Sequence, residues 1–511
     1  MTAVTVREAR PARPRLLAVR IVWIEARHSA FVWAIPLLAV LFIYDPLRTA
    51  SEYPALWTLR ASVVLNKFWP VCVPFAAGFS AWAGSRESRR DLDDLLGSTA
   101  RPAWTRQLCS LAGTLAWVLA TFAAGVVVLY VRTAQAATWG GPPIWPVAAG
   151  AVALTAICAL AFTLGALFPG RFTAPIVAVG ISMLVLVMFS RAVSQGGVSV
   201  AALSPDGIVP ANDQGVFYPV APDVSVVQVM FFAGCALGAA GLLGLSPRTG
   251  GAGWRGPLES AGGARLRAAA AVIFAAGIAL AVAGFGLAAT ARASSVTGGI
   301  EVPALHDPAS DRLIRYTPVC ADASAGFQVC VHPAFKGYLS QAVNSLGPVI
   351  AELSGLPGVP VRAAQIPGPA LPSIVQQVNG NGVVSGSPPV FEFTMDAITL
   401  MPDAAQFRDG FRQDIVHTVI VGSVGQMAAS GAFQPDTGTP AQQAIEDGLL
   451  KAIGSQQYPV CGPYALRCTQ QPQVTVAAAR FAALPAATRH AWLAANLAAL
   501  KAGRITPAQI P

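Results

Sequence analysis

Charge is distributed along this 511-residue chain in two unequal regimes. Up to about residue 290 the sequence repeatedly runs for about 20 residues without Asp, Glu, Lys or Arg, the length a helix needs to cross a bilayer. From 292 to 511 no stretch is both that long and that apolar. In hydrocarbon each backbone N–H and C=O must be bonded within the segment itself, so runs of this kind fold as helices. With 54% hydrophobic and 12% charged residues, the chain is too apolar for an ordinary soluble protein. The expected class is a polytopic α-helical membrane protein, with about seven transmembrane helices and a C-terminal extracytoplasmic α+β domain at 292–511. The net charge of +9 does not point to nucleic acid, because much of the arginine stands in short connections beside the spans, where it sets orientation.

The spans are expected at 29–44, 68–84, 108–131, 145–168, 172–190, 224–245 and 268–291. The first is followed by Asp45-Pro46 rather than a small-residue cleavage site, so it reads as a retained span. Within residues 1–28, Leu16, Leu17, Ile21 and Ile24 make an apolar helix edged with arginine, suited to the headgroup region. Alternating the loops puts 16 Lys and Arg on one side and 5 on the other, which predicts a cytoplasmic amino terminus and an exported tail in the plasma membrane. A basic cytoplasmic loop, 246–267, precedes the seventh span. The cysteines agree with this division. Cys72, Cys109, Cys158 and Cys235 are single residues inside apolar runs. Cys320, Cys330, Cys461 and Cys468 are an even set in the tail, as an oxidising compartment allows. They permit three connectivities, of which the local pairs, Cys320 with Cys330 and Cys461 with Cys468, are expected; neither pair has the CxxC spacing of a zinc site.

The centres of the spans carry no ionisable residue, which argues against a proton- or ion-coupled carrier. No GxxxxGK[ST] loop occurs, so the chain cannot itself cradle ATP. The loop 85–107 has a different character. Leu92, Leu95 and Leu96 fall on one stripe of a short helix, Arg89, Arg90, Asp93 and Asp94 on the other, and Gly97 ends it. Glu87, Leu92, Asp93, Leu95, Leu96 and Arg101 resemble in type and spacing the coupling segment after the second span of type-2 ABC transporter permeases. Arg90 and Asp91 depart from that pattern, which has Gly-Thr there. The resemblance extends to the preceding amphipathic helix and to a six-span domain at 29–245. It implies a homodimer or heterodimer energised by a separate ATP-binding cassette ATPase subunit and moving a substrate outward. Leu92, Leu95 and Leu96 would be buried at the ATPase contact, with Glu87, Arg89 and Arg90 pairing at its rim. A non-transporting membrane anchor or sensor, whose exported domain binds an envelope ligand, stays open as an alternative.

In the tail, strands are expected at 326–332, 360–366 and 389–400, and helices at 335–353, 407–429, 441–453 and 474–503, the last broken at Leu484-Pro485. His417 lies on one helix and Glu446 on the next, in AIEDGLL. This order resembles the gluzincin metallopeptidases, whose zinc site is HExxH plus a distant glutamate. Two histidines one turn apart share the metal, and the glutamate beside the first activates water. Thr418 stands at the base position and Val421 at the second histidine. The resemblance therefore implies an inactive, peptidase-like binding module, with no catalytic residue, no metal and no cofactor. His306, His332 and His490 lack ligand spacing and are expected at the surface. There is no Gly-x-Ser-x-Gly elbow.

Overall fold

A computed structural model of the chain describes residues 14–27, 54–89, 102–194, 198–204, 216–246, 261–294, 299–324, 326–367, 382–395, 404–422, 425–427, 433–435, 438–455 and 471–511, with a few isolated positions. The first half is helical: α1 (Pro14–Arg27), α2 (Trp57–Gly84), the single turn α3 (Arg86–Arg89), α4 (Ala103–Ala134), α5 (Ile144–Leu167), α6 (Thr173–Ser194), the short α7 (Val198–Leu203), α8 (Asp223–Leu245) and α9 (Ala261–Ala289). Among the described residues four helices are long and apolar enough to cross a membrane: Ala103–Ala134, Ile144–Leu167, Asp223–Leu245 and Ala264–Ala289. The expected first span, 29–44, lies almost wholly outside the described residues. Helix α2 starts well before the expected Phe68, so Arg60 and Lys67 fall inside it.

Small residues set the bundle. Helix α5 is its centre, with Ala153, Leu154, Cys158, Ala161 and Phe162 enclosed. A Cβ on Gly165 would stand 2.1 Å from the Ala81 carbonyl oxygen, so α2 and α5 touch backbone to backbone. Helices α8 and α9 meet the same way, since a Cβ on Gly277 would lie 2.3 Å from the Gly238 nitrogen. Close approach lets dispersion forces and weak backbone contacts hold helices that gain nothing from hydrophobic burial in lipid.

The tail opens with a hairpin of β1 (Arg292–Ala293) and β2 (Ile300–Glu301) and a 3-10 turn, Pro308–Asp311. Then follow β3 (Val319–Ser324), β4 (Phe327–Val331), the 3-10 turn Pro333–Tyr338, α10 (Leu339–Leu353), β5 (Arg362–Gln365), β6 (Gly382–Ser385), β7 (Val390–Phe393) and α11 (Ala404–Ile420). The hairpin β8 (Gly425–Met427) and β9 (Phe433–Pro435) precedes α12 (Pro440–Ala452), α13 (Pro472–Ala483) and α14 (Ala486–Lys501). The five-stranded sheet has the order β3-β4-β5-β7-β6, with β4, β5 and β7 parallel and the two edge strands antiparallel to them. Phe327, Val329, Val331, Phe391 and Phe393 alternate inward from the strands. They meet Leu346, Val349, Ile350 and Leu353 of α10 and Phe411, Ile415, Val416 and Val419 of α11.

The helix expected over 407–429 stops at Ile420, because Gly422 takes a left-handed φ of 88° and ends it; residues 425–427 pair as a strand instead. The expected break at Leu484-Pro485 separates α13 from α14.

The tail does not hang free of the bundle. Leu56 and Leu59 at the start of α2 and Val216, Phe217 and Tyr218 from the connection before α8 share one buried cluster with the tail core. Thr138 donates from its hydroxyl to the Pro333 carbonyl at 3.0 Å, the Ile314 amide donates to the Phe217 carbonyl at 2.8 Å, and the Trp139 indole donates to the Val216 carbonyl at 3.2 Å. The connections before α2, between α4 and α5, and before α8 thus gather with the tail at one end of the bundle.

Candidate functional site

At the opposite end lies the segment expected to receive an ATPase. Helix α3 carries Glu87 in its first turn. Arg106, at the start of α4, donates from Nε and Nη2 to the two carboxylate oxygens of Glu87, at 2.8 and 3.1 Å. Arg86 pairs with Glu25 of α1 at 2.8 Å. Arg89 lies over the Trp82 ring, 3.4 Å from its centroid, and donates to Ser85 Oγ and the Trp82 carbonyl. Glu87 and Arg89 are therefore both engaged within the chain. Arg90, Leu92, Leu95 and Leu96 lie outside the described residues. Glu25 and Arg106 belong to no motif; their one signal in the sequence is a charge opposite to that of Arg86 and Glu87, near a helix end. Two indole donors have no such signal, Trp104 to the Ala240 carbonyl at 2.9 Å and Trp117 to the Ala26 carbonyl at 2.8 Å.

In the tail, the two residues read as a vestigial peptidase site come together across α11 and α12, with His417 Nδ1 3.0 Å from Glu446 Oε2. Both side chains are largely buried. Thr418, at the position of the missing base, donates its hydroxyl back to the Asp414 carbonyl at 2.8 Å, as a helical threonine does. One imidazole against one carboxylate can hold a proton between them, but lacks the base and second histidine that water activation requires. Arg412, also on α11, ties that helix to α10 and to the end of α12 through the Ser345 carbonyl and Ser455 Oγ. The disulfide Cys320–Cys330 forms as expected, between residues directly opposite each other on β3 and β4. Cys461 and Cys468 lie outside the described residues.

Two histidines expected at the surface are not there. His332 is fully buried among Tyr316, Trp139 and Phe217, with ring centroids 4.2, 4.7 and 4.9 Å away. Burial pushes its pKa down to about 4. His306 is mostly buried where the tail's neck meets α8, its Nδ1 2.9 Å from Asp223 Oδ2 and its Nε2 3.2 Å from Asp311 Oδ2. Burial alone would lower its pKa, but hydrogen bonds to Asp223 and Asp311 outweigh that and raise it. His490 does lie near the surface, its Nε2 2.9 Å from the Ser354 carbonyl. Single-residue spacing hid both buried rings, because part of each one's surroundings comes from far along the chain: Asp223 of α8 for His306, Trp139 and Phe217 for His332. The chain matches no protein-family profile, no curated protein and no solved structure.

Proposed function

We propose that the chain is the membrane permease subunit of an ABC-type exporter, energised by a separate ATP-binding subunit and paired with a second membrane subunit. In this reading it spans the plasma membrane about seven times, with the amino terminus cytoplasmic and the tail outside. The observation that supports it is the ion-paired layer joining α1, α3 and α4 through Arg86–Glu25 and Glu87–Arg106. In partly buried pairs such as these the cost of desolvation offsets much of the Coulomb gain, so their value here is orientation rather than stability. A push on the segment after α3 would be passed to two helices at once. The charge-poor helices suit an apolar or amphipathic cargo, and the tail suits binding rather than hydrolysis.

The test is a pull-down of the tagged chain from native membranes. A P-loop ATPase should co-purify with the wild type and be lost with Leu95→Asp, while membrane insertion is unchanged. Absence of any ATPase from the wild-type complex would instead favour a membrane-anchored sensor of an envelope ligand.

A further inference from the structure

The neck between α9 and the tail domain brings together side chains that no part of the transport reading uses. His306 Nε2, Asp311 Oδ2 and Glu301 Oε2 face one another, with the imidazole nitrogen 3.2 Å from the aspartate and 3.9 Å from the glutamate. All three donor atoms lie within 4.8 Å of one another. The other imidazole nitrogen, Nδ1, is held at 2.9 Å by the buried Asp223 at the start of α8. Asp223 Oδ1 and Asp311 Oδ1 are buried without a hydrogen-bond partner. Arg292 binds the far oxygen of Glu301, and Asp307 is turned away to cap the 3-10 turn through the Ala309 amide.

We infer that Glu301, His306 and Asp311 form a binding site for a divalent transition-metal ion of the zinc class, with Asp223 orienting the histidine. Donor spacing is the first support. Bonds of about 2.0–2.1 Å in a tetrahedron separate ligand atoms by about 3.3 Å, so the aspartate already fits and the glutamate needs only a small inward movement. The carboxylate on Nδ1 is the second. It fixes a proton on that nitrogen, so that an ion displacing the proton from Nε2 would meet a lone pair directed toward the other two donors, as metal-binding histidines are commonly held. Charge is the third. Asp223, Glu301 and Asp311 set three negative charges against Arg292 alone, and a dication with a neutral imidazole brings the cluster to zero. Calcium, which takes six to eight oxygens, suits an imidazole with two carboxylates poorly. One coordination position stays open to water or a further ligand. The ion would staple the neck to the start of α8, joining its ligands through the His306–Asp223 bond to a helix of the bundle.

The purified full chain in detergent, stripped with a chelator, is titrated with zinc at pH 7.5 and its metal content measured after desalting. One zinc per chain is expected, with affinity lowered at least tenfold in H306Q and in D311N, lowered 10–100-fold in D223N, and unchanged in H417Q. As a measurement that needs no variant, zinc should protect His306 of the wild type from diethyl pyrocarbonate, mapped by peptide mass. Absence of saturable zinc binding, binding that survives both H306Q and D311N, loss confined to H417Q, or unprotected His306 would each overturn the assignment.

Discussion

Acid should loosen the tail from the helix bundle through one side chain, His332. Its ring stands where three parts of the chain meet: Trp139 from the α4–α5 connection, Phe217 from the segment before α8, and Tyr316 from the tail itself. Nδ1 accepts from the Ala334 amide at 3.1 Å, which leaves the proton on Nε2, a buried atom with no hydrogen-bond partner. A second proton would have to break the first bond and place a charge among aromatic rings. The folded pKa of about 4 lies below the ordinary 6.5, so protons favour the unfolded or detached state. The stabilisation from a neutral His332 is complete above pH 6.5 and is lost as pH falls toward 4. The loss amounts to about 3 kcal/mol, at about 1.4 kcal/mol per pH unit. The assay is denaturant unfolding of the full chain in detergent between pH 7 and 4.5, followed by tryptophan fluorescence, for the wild type and His332→Phe. The other four histidines are common to both proteins, so the difference between the two curves reports His332. That difference should shift steadily against the wild type below pH 6. Parallel curves would refute the reasoning.

Other perturbations probe the remaining contacts. Cys320→Ser opens a loop whose ends are 10 residues apart, which should cost the tail about 2.5–3 kcal/mol and make its unfolding insensitive to reductant at that bridge. Gly165→Val drives a side chain into the Ala81 carbonyl and should cost about 1–3 kcal/mol, read as a lower melting temperature and a smaller monodisperse fraction; Gly141→Val, with open space around it, is the control. Glu87→Gln removes the bidentate partner of Arg106 and should speed amide exchange in α3 and the first turns of α4 while leaving the tail unchanged. Thr418→Glu together with Val421→His completes a zinc ligand set around His417 and Glu446. In a His306→Gln background this double substitution should add one zinc per chain, and failure to do so would count against the peptidase resemblance.

Much of this organisation could be read from residues alone, and the parts that could not share one cause. Apolar runs located α4, α5 and α8 to within a few residues, because in lipid composition and helix length are bound to one another. The pairing of His417 with Glu446 and of Cys320 with Cys330 followed from motif order and local spacing. His306 and His332 were misplaced because their burial is supplied by residues far along the chain: Asp223 for one, Trp139 and Phe217 for the other. A loop between spans gives no sign in its own sequence that a domain is seated on it. Glu87 fits its motif position, but the motif could not tell that Arg106 would claim both of its oxygens. The end of α11 turned on Gly422, whose left-handed backbone outweighed the apolar stretch beyond it.

The seat of the tail also limits which movements the bundle can make. Leu56 and Leu59 attach it to the start of α2, Thr138 and Trp139 to the turn between α4 and α5, and Phe217 and Asp223 to the entry of α8. Helix α9 is joined to it covalently through the neck. Helices α2 and α8 both pack against α5 at the centre of the bundle, through Gly165 against Ala81 and Thr163 against the Ala239 carbonyl. A rearrangement that separates α2 from α8 at the tail end must therefore either carry the tail with one of them or break the aromatic cluster around His332. Because packed interfaces exchange between discrete arrangements rather than stretching, such a motion would release the tail as a unit. His332→Phe and the neck variants then report on different halves of one constraint: the first on the grip of the tail core on the α4–α5 turn, the second on the grip of the neck on α8.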